Sequence, residues 1–550
     1  MIMKTPAIQR TQRPPARHLP PRPLVVFDMA LRQAGDSRYY PAVSGAAMTM
    51  SSVLHERKIA DFAFMRLPFC QGGEIELDRK RPLIFALTVY DDLWLETKKE
   101  LALIKEKYPT ARIILGGPGV TSWSGSLREL HEHFPQADAL VRGDGQPVIE
   151  SLVMALAKRQ IDFTKASKLH GVYVSEQGLA WRSEHPNRQD TIHFNGNPPL
   201  VHPFPDLIMD IRERRSLSFN TSIGCKHRCV FCSTIKRPPV YWRVGRIIQE
   251  LLRIREMVEE GSLPLEARVI TFVDDDFFLD RDRARHFFQT LKGHPLLSDY
   301  FRFLFQSSVS SLLQQGQPDI ELLDLVAPNN HFICLGTDGF HPKALSFFRK
   351  GNYTLDQALD LIKAIKAREI KQVHYVILTY PQITRQELLE TLNILEETIV
   401  QDYNPAFHYD IAYFLSVIEN SPLWQLFQTQ HPDNKVNHDG NKVLAFNYPL
   451  DDTDLVRDLD TILKLPFPSK QDLEHALPSL DAIKKVQILQ CIIYFTEIGR
   501  WPTSFDEIIN CGDTIIQWMG IRFLRDQIER PGQPQSWLEW FQTPTRHIEK

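Results

Sequence analysis

The chain has 550 residues, 43% hydrophobic and 24% charged, with a net charge of -3. This describes a multi-domain globular protein. It gives no electrostatic case for nucleic acid or an anionic membrane, and no uncharged apolar run approaches the roughly 18 residues of a membrane span. The start, residues 1–22, is rich in proline and arginine and lacks an apolar segment, so it reads as a flexible tail rather than a secretory signal. A cytoplasmic location is the expectation, and the seven cysteines then serve as thiols or metal ligands rather than disulfides.

After the tail, "PLVVFDMA" (Pro23–Ala30), "RPLIFALTVY" (Arg81–Tyr90), "ARIILGGPG" (Ala111–Gly119) and "ADALVRGDG" (Ala137–Gly145) read as strands. Helical stretches lie between them, such as Trp94–Tyr108 with Leu95, Leu101, Leu103 and Ile104 on one side. This alternation predicts an α/β domain with a parallel sheet over residues 23–205. A connecting stretch with polar turns and prolines, roughly Lys165 to Pro205, marks the boundary.

The alternation resumes over residues 206–420. Six strand candidates appear: "LSFNTSIG", "RVITFVDDD", "FRFLFQSS", "HFICLGTDGF", "QVHYVILTY" and "FHYDIAYFLSV". Amphipathic helices follow several of them, at Val244–Glu260, Arg281–Lys292, Thr354–Arg368 and Thr384–Val400. Six βα units favour a barrel or partial barrel over an open sheet. Residues 421–550 read as a mostly helical unit, with a strong helix over Asp481–Arg500 and the aromatics Trp501, Trp518, Trp537 and Trp540.

The first strand of the second region runs into "TSIGCKHRCVFCST" (Thr221–Thr234), which places Cys225, Cys229 and Cys232 in a C-x3-C-x2-C spacing. Random placement of seven cysteines would give about one such spacing in a thousand chains of this length. Three thiolates from one loop can hold three corners of a cubic iron–sulfur cluster and leave the fourth iron open. Structural zinc prefers four protein ligands. His227 is an alternative fourth ligand, although within so tight a loop it would close a tetrahedron poorly. Unmetallated thiols are the remaining alternative.

The cysteine spacing, with Phe231 just before the last cysteine, resembles the signature of the radical S-adenosylmethionine (SAM) superfamily. The resemblance implies a [4Fe–4S] cluster on these three cysteines. The open iron would chelate SAM, and one electron would cleave the sulfonium to methionine and a 5′-deoxyadenosyl radical. It further implies that Phe231 lies against the adenine, and that "VDDDFF" at the second strand end contributes to the SAM site. Asp275 and Asp276 with Phe278, or Asp274 and Asp275 with Phe277, fit an Asp-Asp-x-Phe pattern found in relatives with cobalamin domains; a solvated acidic cap on the following helix is the bland reading. Thr337 and Asp338 of "GTDGF" stand where relatives approach the ribose hydroxyls. Gln306, Ser307 and Ser308 end the third strand at the same mouth, and Lys350 is a candidate partner for the methionine carboxylate.

The first region resembles the cobalamin-binding domain that precedes the radical domain in one large subgroup, through "YYPAVSGAAMTMSSVL", "TVYDD", "LGGPGVTS" and "ADALVRGDGQPVIESLV". In the last of these Asp144 and Gln146 replace the usual glutamates. The implied contacts are Thr88, Tyr90, Asp91, Gly116, Gly117, Thr121, Ser122 and Gly143, with the glycines allowing close approach to a bulky ligand. A Rossmann-like fold whose glycines serve only tight turns is the alternative. No Asp-x-His-x-x-Gly is present, since the first loop reads "FDMALRQAGDSRYY". Cobalamin would therefore bind base-off with no histidine below cobalt, and His55, His131 and His133 are the histidines to test.

The expected architecture is α/β: a Rossmann-like cobalamin-binding-type domain, a (β/α)6 partial TIM barrel and a helical C-terminal domain. The expected activity is methylation of an unactivated carbon, or phosphorus, of a small-molecule or peptide substrate, with flavodoxin or ferredoxin as external reductant and no nucleic acid or membrane partner. A non-methylating oxidation, cyclisation or ring rearrangement with the same cofactors is the second enzymatic reading. A non-catalytic iron–sulfur or cobalamin sensor is the reading from another class, but no helix-turn-helix or basic patch marks an effector domain.

Overall fold

The computed structural model describes residues 22–33, 39–42, 50–51, 54, 58–66, 77, 80–89, 94–121, 123, 125–143, 145, 148–158, 172–174, 205–232, 239–350, 352–400, 407–418, 421–430, 445–447, 449–532 and 534–543. The tail, most of the connecting stretch before Pro205, and Cys70, Tyr90, Asp91, Ser122, Asp144, Gln146 and His55 lie outside the described residues.

The first sheet contains β1 (Leu24–Gln33), β2 (Tyr39–Ala42), β3 (Asp61–Arg66), β4 (Leu83–Thr88), β5 (Arg112–Gly116), β6 (Ala139–Val141) and β7 (Val172–Val174). β1 pairs in parallel with both β3 and β4, β4 with β5, and β5 with β6. The parallel strands thus stand in the order β3-β1-β4-β5-β6. Counted among themselves this is 2-1-3-4-5, the doubly wound order in which ligands bind where the order reverses, here between β1 and β4. β7 closes the far side antiparallel to β6.

Three local expectations are corrected here. The segment Phe27–Gln33, read as leading into a loop, stays in β1, because Ala30–Gln33 find antiparallel partners in Tyr39–Ala42. Tyr39–Ala42 is accordingly strand, where "YYPAVSGAAMTMSSVL" reads in sequence as a helix entered through a proline and small residues. Helix Trp94–Lys107 buries Trp94, Leu101 and Ile104, while Leu95 is 39% exposed. The 3.6-residue period favours the 94/97/101/104 stripe, and Leu95 points away from the sheet.

The second sheet consists of β8 (Leu217–Phe219), β11 (Val269–Phe272), β12 (Arg302–Ser308), β15 (Asn330–Asp338), β16 (Gln372–Ile377) and β17 (Phe407–Ala412), paired in parallel and in chain order. Two short hairpins intervene: β9 (Ser222–Ile223) with β10 (Val240–Tyr241), and β13 (Leu313–Gln314) with β14 (Gln317–Pro318). Helices Val244–Glu259, Arg281–Gly293, Ile320–Val326, Leu355–Lys366 and Arg385–Val400 form the crossovers. Among the described residues β8 and β17 remain the two ends of the sheet, so the barrel is partial. Its outer face is aromatic: Phe272, Phe303 and Phe305 pack with Phe277, Phe287 and Phe288 of the following turn and helix.

The C-terminal helices sit against the open β17 edge. Gln517 accepts the Tyr409 N–H at 2.7 Å and donates to the Tyr409 carbonyl at 2.6 Å. Asn510 does the same for Ile411, at 2.7 and 3.1 Å. These side-chain amides take the place of a seventh strand and satisfy an edge that would otherwise be unpaired. The aromatics are core: Phe523 and Trp537 stack at 3.7 Å, and Trp540 meets both edge-on. A small hairpin, β18 (Ser416–Ile418) with β19 (Ala445–Asn447), joins this unit to the barrel. No helix among the described residues is long and apolar enough to cross a membrane.

Candidate active site

The cysteine loop leaves β9 at the carboxyl end of the barrel sheet, and three aspartates that follow β11 organise it. Asp274 is fully buried and accepts the N–H groups of Thr221 and Ser222, the latter at 2.9 Å, as well as the Thr221 hydroxyl. Arg283 donates to the Thr221 hydroxyl at 2.6 Å and to its carbonyl at 3.1 Å. Asp275 accepts the N–H of Gly224 at 3.0 Å, which fixes the turn where Gly224 adopts φ 98°.

Asp276 is 3% exposed and joins the loop to β12. It accepts from the hydroxyls of Ser307 (3.1 Å), Ser308 (2.8 Å) and Ser311 (2.7 Å) and from the N–H of Ser308 (3.2 Å). His227 Nε2 lies 3.3 Å from Asp276 and 3.0 Å from the Ser308 hydroxyl. These contacts tie the imidazole to the β12 end rather than to the thiols. Asp274 and Asp276 are thus buried, hydrogen-bonded struts and not a solvated cap; only Asp275 is exposed.

The other side of the loop is held by β15. Asp338, at φ 55° beside a register shift in the β15–β16 pairing, forms an ion pair with Lys350 at 2.5 Å. Lys350 also donates to Cys229, and its charge opposes the upward push that burial exerts on that thiol. A Cβ at Gly336 would stand 3.3 Å from Lys350 Nζ, so the missing side chain makes room for the pair. Thr337 is fully buried, its hydroxyl donating to the Tyr375 carbonyl and its carbonyl accepting from Tyr353. The Val230 N–H reaches the Phe348 carbonyl at 3.3 Å, and Phe231 packs edge-on against Phe348 with ring centroids 5.8 Å apart. Gln306 is exposed on the concave side of β12.

Cys225 and Cys232 are half-buried and Cys229 is buried. Burial pushes the Cys225 thiol up to about 11, against a backbone hydrogen bond from His227 and with added repulsion from Asp276, Asp275 and Cys229. Metal ligation replaces these protons. No trio of His, Cys, Asp or Glu among the described residues is gathered as around a single ion. With His227 held elsewhere, the donor set is three soft thiols round one loop, which fits an open cluster better than zinc.

In the first domain, the reversal point of strand order is marked by Asp28 and Thr88. Asp28 is 2% exposed and accepts the Thr88 N–H at 2.7 Å and its hydroxyl at 3.1 Å. Burial raises the Asp28 pKa to about 6 despite these hydrogen bonds. Thr121 accepts the Gly143 N–H at 3.0 Å, linking the loops after β5 and β6. Gly117 has φ 92°, and a Cβ there would meet Thr88 Cγ2 at 2.4 Å. Its lack of a side chain therefore serves loop-against-loop contact. Gly116 meets only ordinary contacts, and the space beside Gly143 is open.

The chain matches the family model described as "Radical SAM superfamily" over residues 219–395. It is 26% identical over 406 residues to an uncharacterized methyltransferase, PH0819, of Pyrococcus horikoshii, covering 70% of this chain and 80% of that protein. It is 29% identical over 200 residues to the cobalamin-dependent radical SAM methyltransferase TokK of Streptomyces tokunonensis, covering 35% of this chain and 28% of that one. Among solved structures, the cobalamin-dependent SAM radical enzyme OxsB with aqua-cobalamin bound shares the fold, with a TM-score of 0.62 and 15% identity over 92% of this chain and 80% of that one. The radical SAM methyltransferase TsrM of Kitasatospora setae follows, with a TM-score of 0.57 and 15% identity over 74% of this chain and 76% of that one. The three-thiol loop at the carboxyl ends of the partial barrel thus lies within the segment, residues 219–395, that matches the radical SAM superfamily model, and the fold around it is shared with OxsB and TsrM.

Proposed function

We propose that this protein is a cobalamin-dependent radical SAM methyltransferase acting on an unactivated carbon, or phosphorus, of a small polar substrate. The observation that carries this reading is the presence of two cofactor-type sites in one chain: the thiol loop with its aspartate struts, and the β1/β4 reversal point of a doubly wound sheet. The methyltransferase names of the relatives in Pyrococcus horikoshii and Streptomyces tokunonensis support it.

In this reading Cys225, Cys229 and Cys232 hold a [4Fe–4S] cluster, and SAM lies toward Phe231, Gln306, Ser308 and Asp338. Asp275 and Asp276 fix the loop on one side, and Lys350 steadies it through Asp338 and Cys229 on the other. Lys350 already neutralises Asp338, so it supplies no full charge to a second carboxylate. Thr88, Gly116, Gly117, Thr121 and Gly143 line the crevice that takes cobalamin, with Tyr90, Asp91 and Ser122 as the sequence-based additions. When bound, the cluster and SAM supply a hydrogen-abstracting radical and cobalamin supplies the methyl group.

The substrate side is the concave face of the sheet. Register places Gln306 beside Cys334, and Tyr375 between Gly336 and Asp410. Phe305, Leu335, His374 and Tyr409 turn to the buried outer face. The Tyr375 hydroxyl interacts with both Cys334 and Gln306. Such a wall suits a hydrogen-bonding substrate more than a hydrocarbon.

The test is anaerobic reconstitution with both cofactors, a reductant and SAM, followed by mass analysis. Methyl transfer yields S-adenosylhomocysteine and 5′-deoxyadenosine together. Radical chemistry with the same cofactors and without methylation is the second reading. That reading gives 5′-deoxyadenosine and no S-adenosylhomocysteine.

A further inference from the structure

We propose that Asp410 selects the substrate, and that the substrate therefore carries a positively charged nitrogen, a protonated amine being the simplest case. The inference deepens the methyltransferase reading above and rests on it. β17 alternates cleanly: Phe407, Tyr409 and Ile411 are buried on the outer face, whereas His408, Asp410 and Ala412 turn to the concave face, where Asp410 is exposed. Register sets Asp410 beside Tyr375, whose hydroxyl interacts with Cys334 and Gln306. The carboxylate thus stands on the polar wall assigned to the substrate.

Among the described residues Asp410 makes no hydrogen bond and no ion pair. The charge that acts on it is of its own sign. Asn510 accepts the Ile411 N–H at 2.7 Å and donates to the Ile411 carbonyl at 3.1 Å and to Asp506 at 2.9 Å, which holds Asp506 against the strand next to Asp410. Burial raises the Asp410 pKa first and the like charge of Asp506 second, and no cation opposes them. Burial also pushes the Cys334 thiol up to about 11, against a hydrogen bond to Tyr375 and with Asp410 adding to the rise. Other ionisable groups on inward strand positions are spoken for: Asp338 pairs with Lys350, burial keeps His408 neutral, and Arg302 stands at the far, amino end of β12.

A partly desolvated carboxylate with a like charge beside it is unfavourable in the free protein, and a cation bound against it offsets both costs. An anionic group would meet repulsion from Asp410 and Asp506 together, and a neutral one would relieve neither cost. The Tyr375 ring on the adjacent strand, and Tyr413 with its ring centroid 6.0 Å from that of Phe505, add aromatic faces of the kind that attract a cation. Position also sets the length of the substrate. The strands run β17-β16-β15-β12 across the sheet, so Asp410 lies two to three strand spacings, about 10–14 Å, from the β15 and β12 ends that flank the cysteine loop. A small molecule held at Asp410 by its cationic end reaches the radical with an atom about that far away.

The experiment titrates the full chain, reconstituted with cluster and cobalamin, by calorimetry with three probes of one length: hexylammonium, hexanol and hexanoate. Wild type should bind hexylammonium at least about fivefold more tightly than hexanol, and hexanoate more weakly than either. Asp410→Asn should erase the preference for the cation while keeping the affinity for hexanol, which shows that the variant is folded. Asp410→Glu should retain most of the preference, Asp506→Asn should reduce it, and added salt should weaken hexylammonium but not hexanol. Equal wild-type affinities for the three probes, or a cation preference that survives in Asp410→Asn, would overturn the assignment. 5′-Deoxyadenosine formed by the same preparation from SAM and a reductant reports on the radical reading by itself, so failure of that reading and failure of cation selection are told apart.

Discussion

Asp28 accepts both the N–H and the hydroxyl of Thr88, a residue 60 positions later in the chain, and this pair ties β1 to the carboxyl end of β4 at the point where the strand order reverses. The carboxyl is buried and its pKa is raised from 3.8 to about 6, with desolvation the main cause. A raised folded-state pKa means that the contribution to stability is fully present below 3.8 and is lost as pH rises through about 6. The shift corresponds to about 3 kcal/mol, as an order of magnitude. Asp28→Asn cannot ionise, so its stability relative to wild type should rise across that window. Chemical unfolding of the first domain, followed at the two ends of the window, checks this; a difference that stays constant with pH would show that Asp28 does not titrate there.

Replacing Cys225, Cys229 or Cys232 by alanine should abolish SAM cleavage, because an open cluster has no spare protein ligand. Cys491→Ala removes a buried thiol from the helical unit and should leave cleavage intact. Product analysis for 5′-deoxyadenosine separates the two. Undiminished cleavage by Cys229→Ala would sink the cluster assignment.

Gly116 and Gly117 are adjacent but should behave oppositely. Gly117→Val forces a branched residue to φ 92° with its Cβ 2.4 Å from Thr88, at a cost of about 1–3 kcal/mol, and should lower cobalamin retention. Gly116→Ala meets the Val141 carbonyl at an ordinary 3.7 Å and should retain the corrinoid. Corrinoid absorbance after gel filtration is the measurement, with cluster absorbance unchanged in both variants.

Gln517→Leu should destabilise the protein by about 2 kcal/mol or more, since it strands a buried N–H and a buried carbonyl of Tyr409. Unfolding by denaturant reads this directly. Asn510, which serves Ile411 at a part-buried site, should cost less on substitution by leucine.

The cobalt should lack a protein imidazole below it. His131 Nε2 is 3.0 Å from the Ala137 carbonyl, and His133 packs edge-on against Trp94 and Trp123, so both are engaged around their own helix. Replacing His55, His131 and His133 by alanine should leave the electron paramagnetic resonance spectrum of cob(II)alamin unchanged. A nitrogen triplet that disappears in the His55 variant would restore a histidine-ligated site.

Local signals carried much of the architecture. The apolar runs located four strands of the first sheet and all six of the barrel, since strand and helix periodicities are properties of a few consecutive residues. The C-x3-C-x2-C loop was legible for the same reason: its donors lie within eight residues. What sequence could not assign was the part each aspartate plays. "VDDDFF" reads as a solvated acidic run until folding brings Thr221, Gly224, Ser307 and Ser308 to it from other strands, burying Asp274 and Asp276 and leaving Asp275 exposed. Lys350 reads in sequence as a candidate partner for the methionine carboxylate, and only the approach of β15 to the loop gives it Asp338 and Cys229 instead. Asp28 carried no motif at all. Its burial against Thr88, and the substitution of Gln517 and Asn510 for a missing strand, depend on which segments become neighbours in space. That choice is made by long-range pairing and desolvation, whereas the sequence alone determined the elements and the metal-ligand loop.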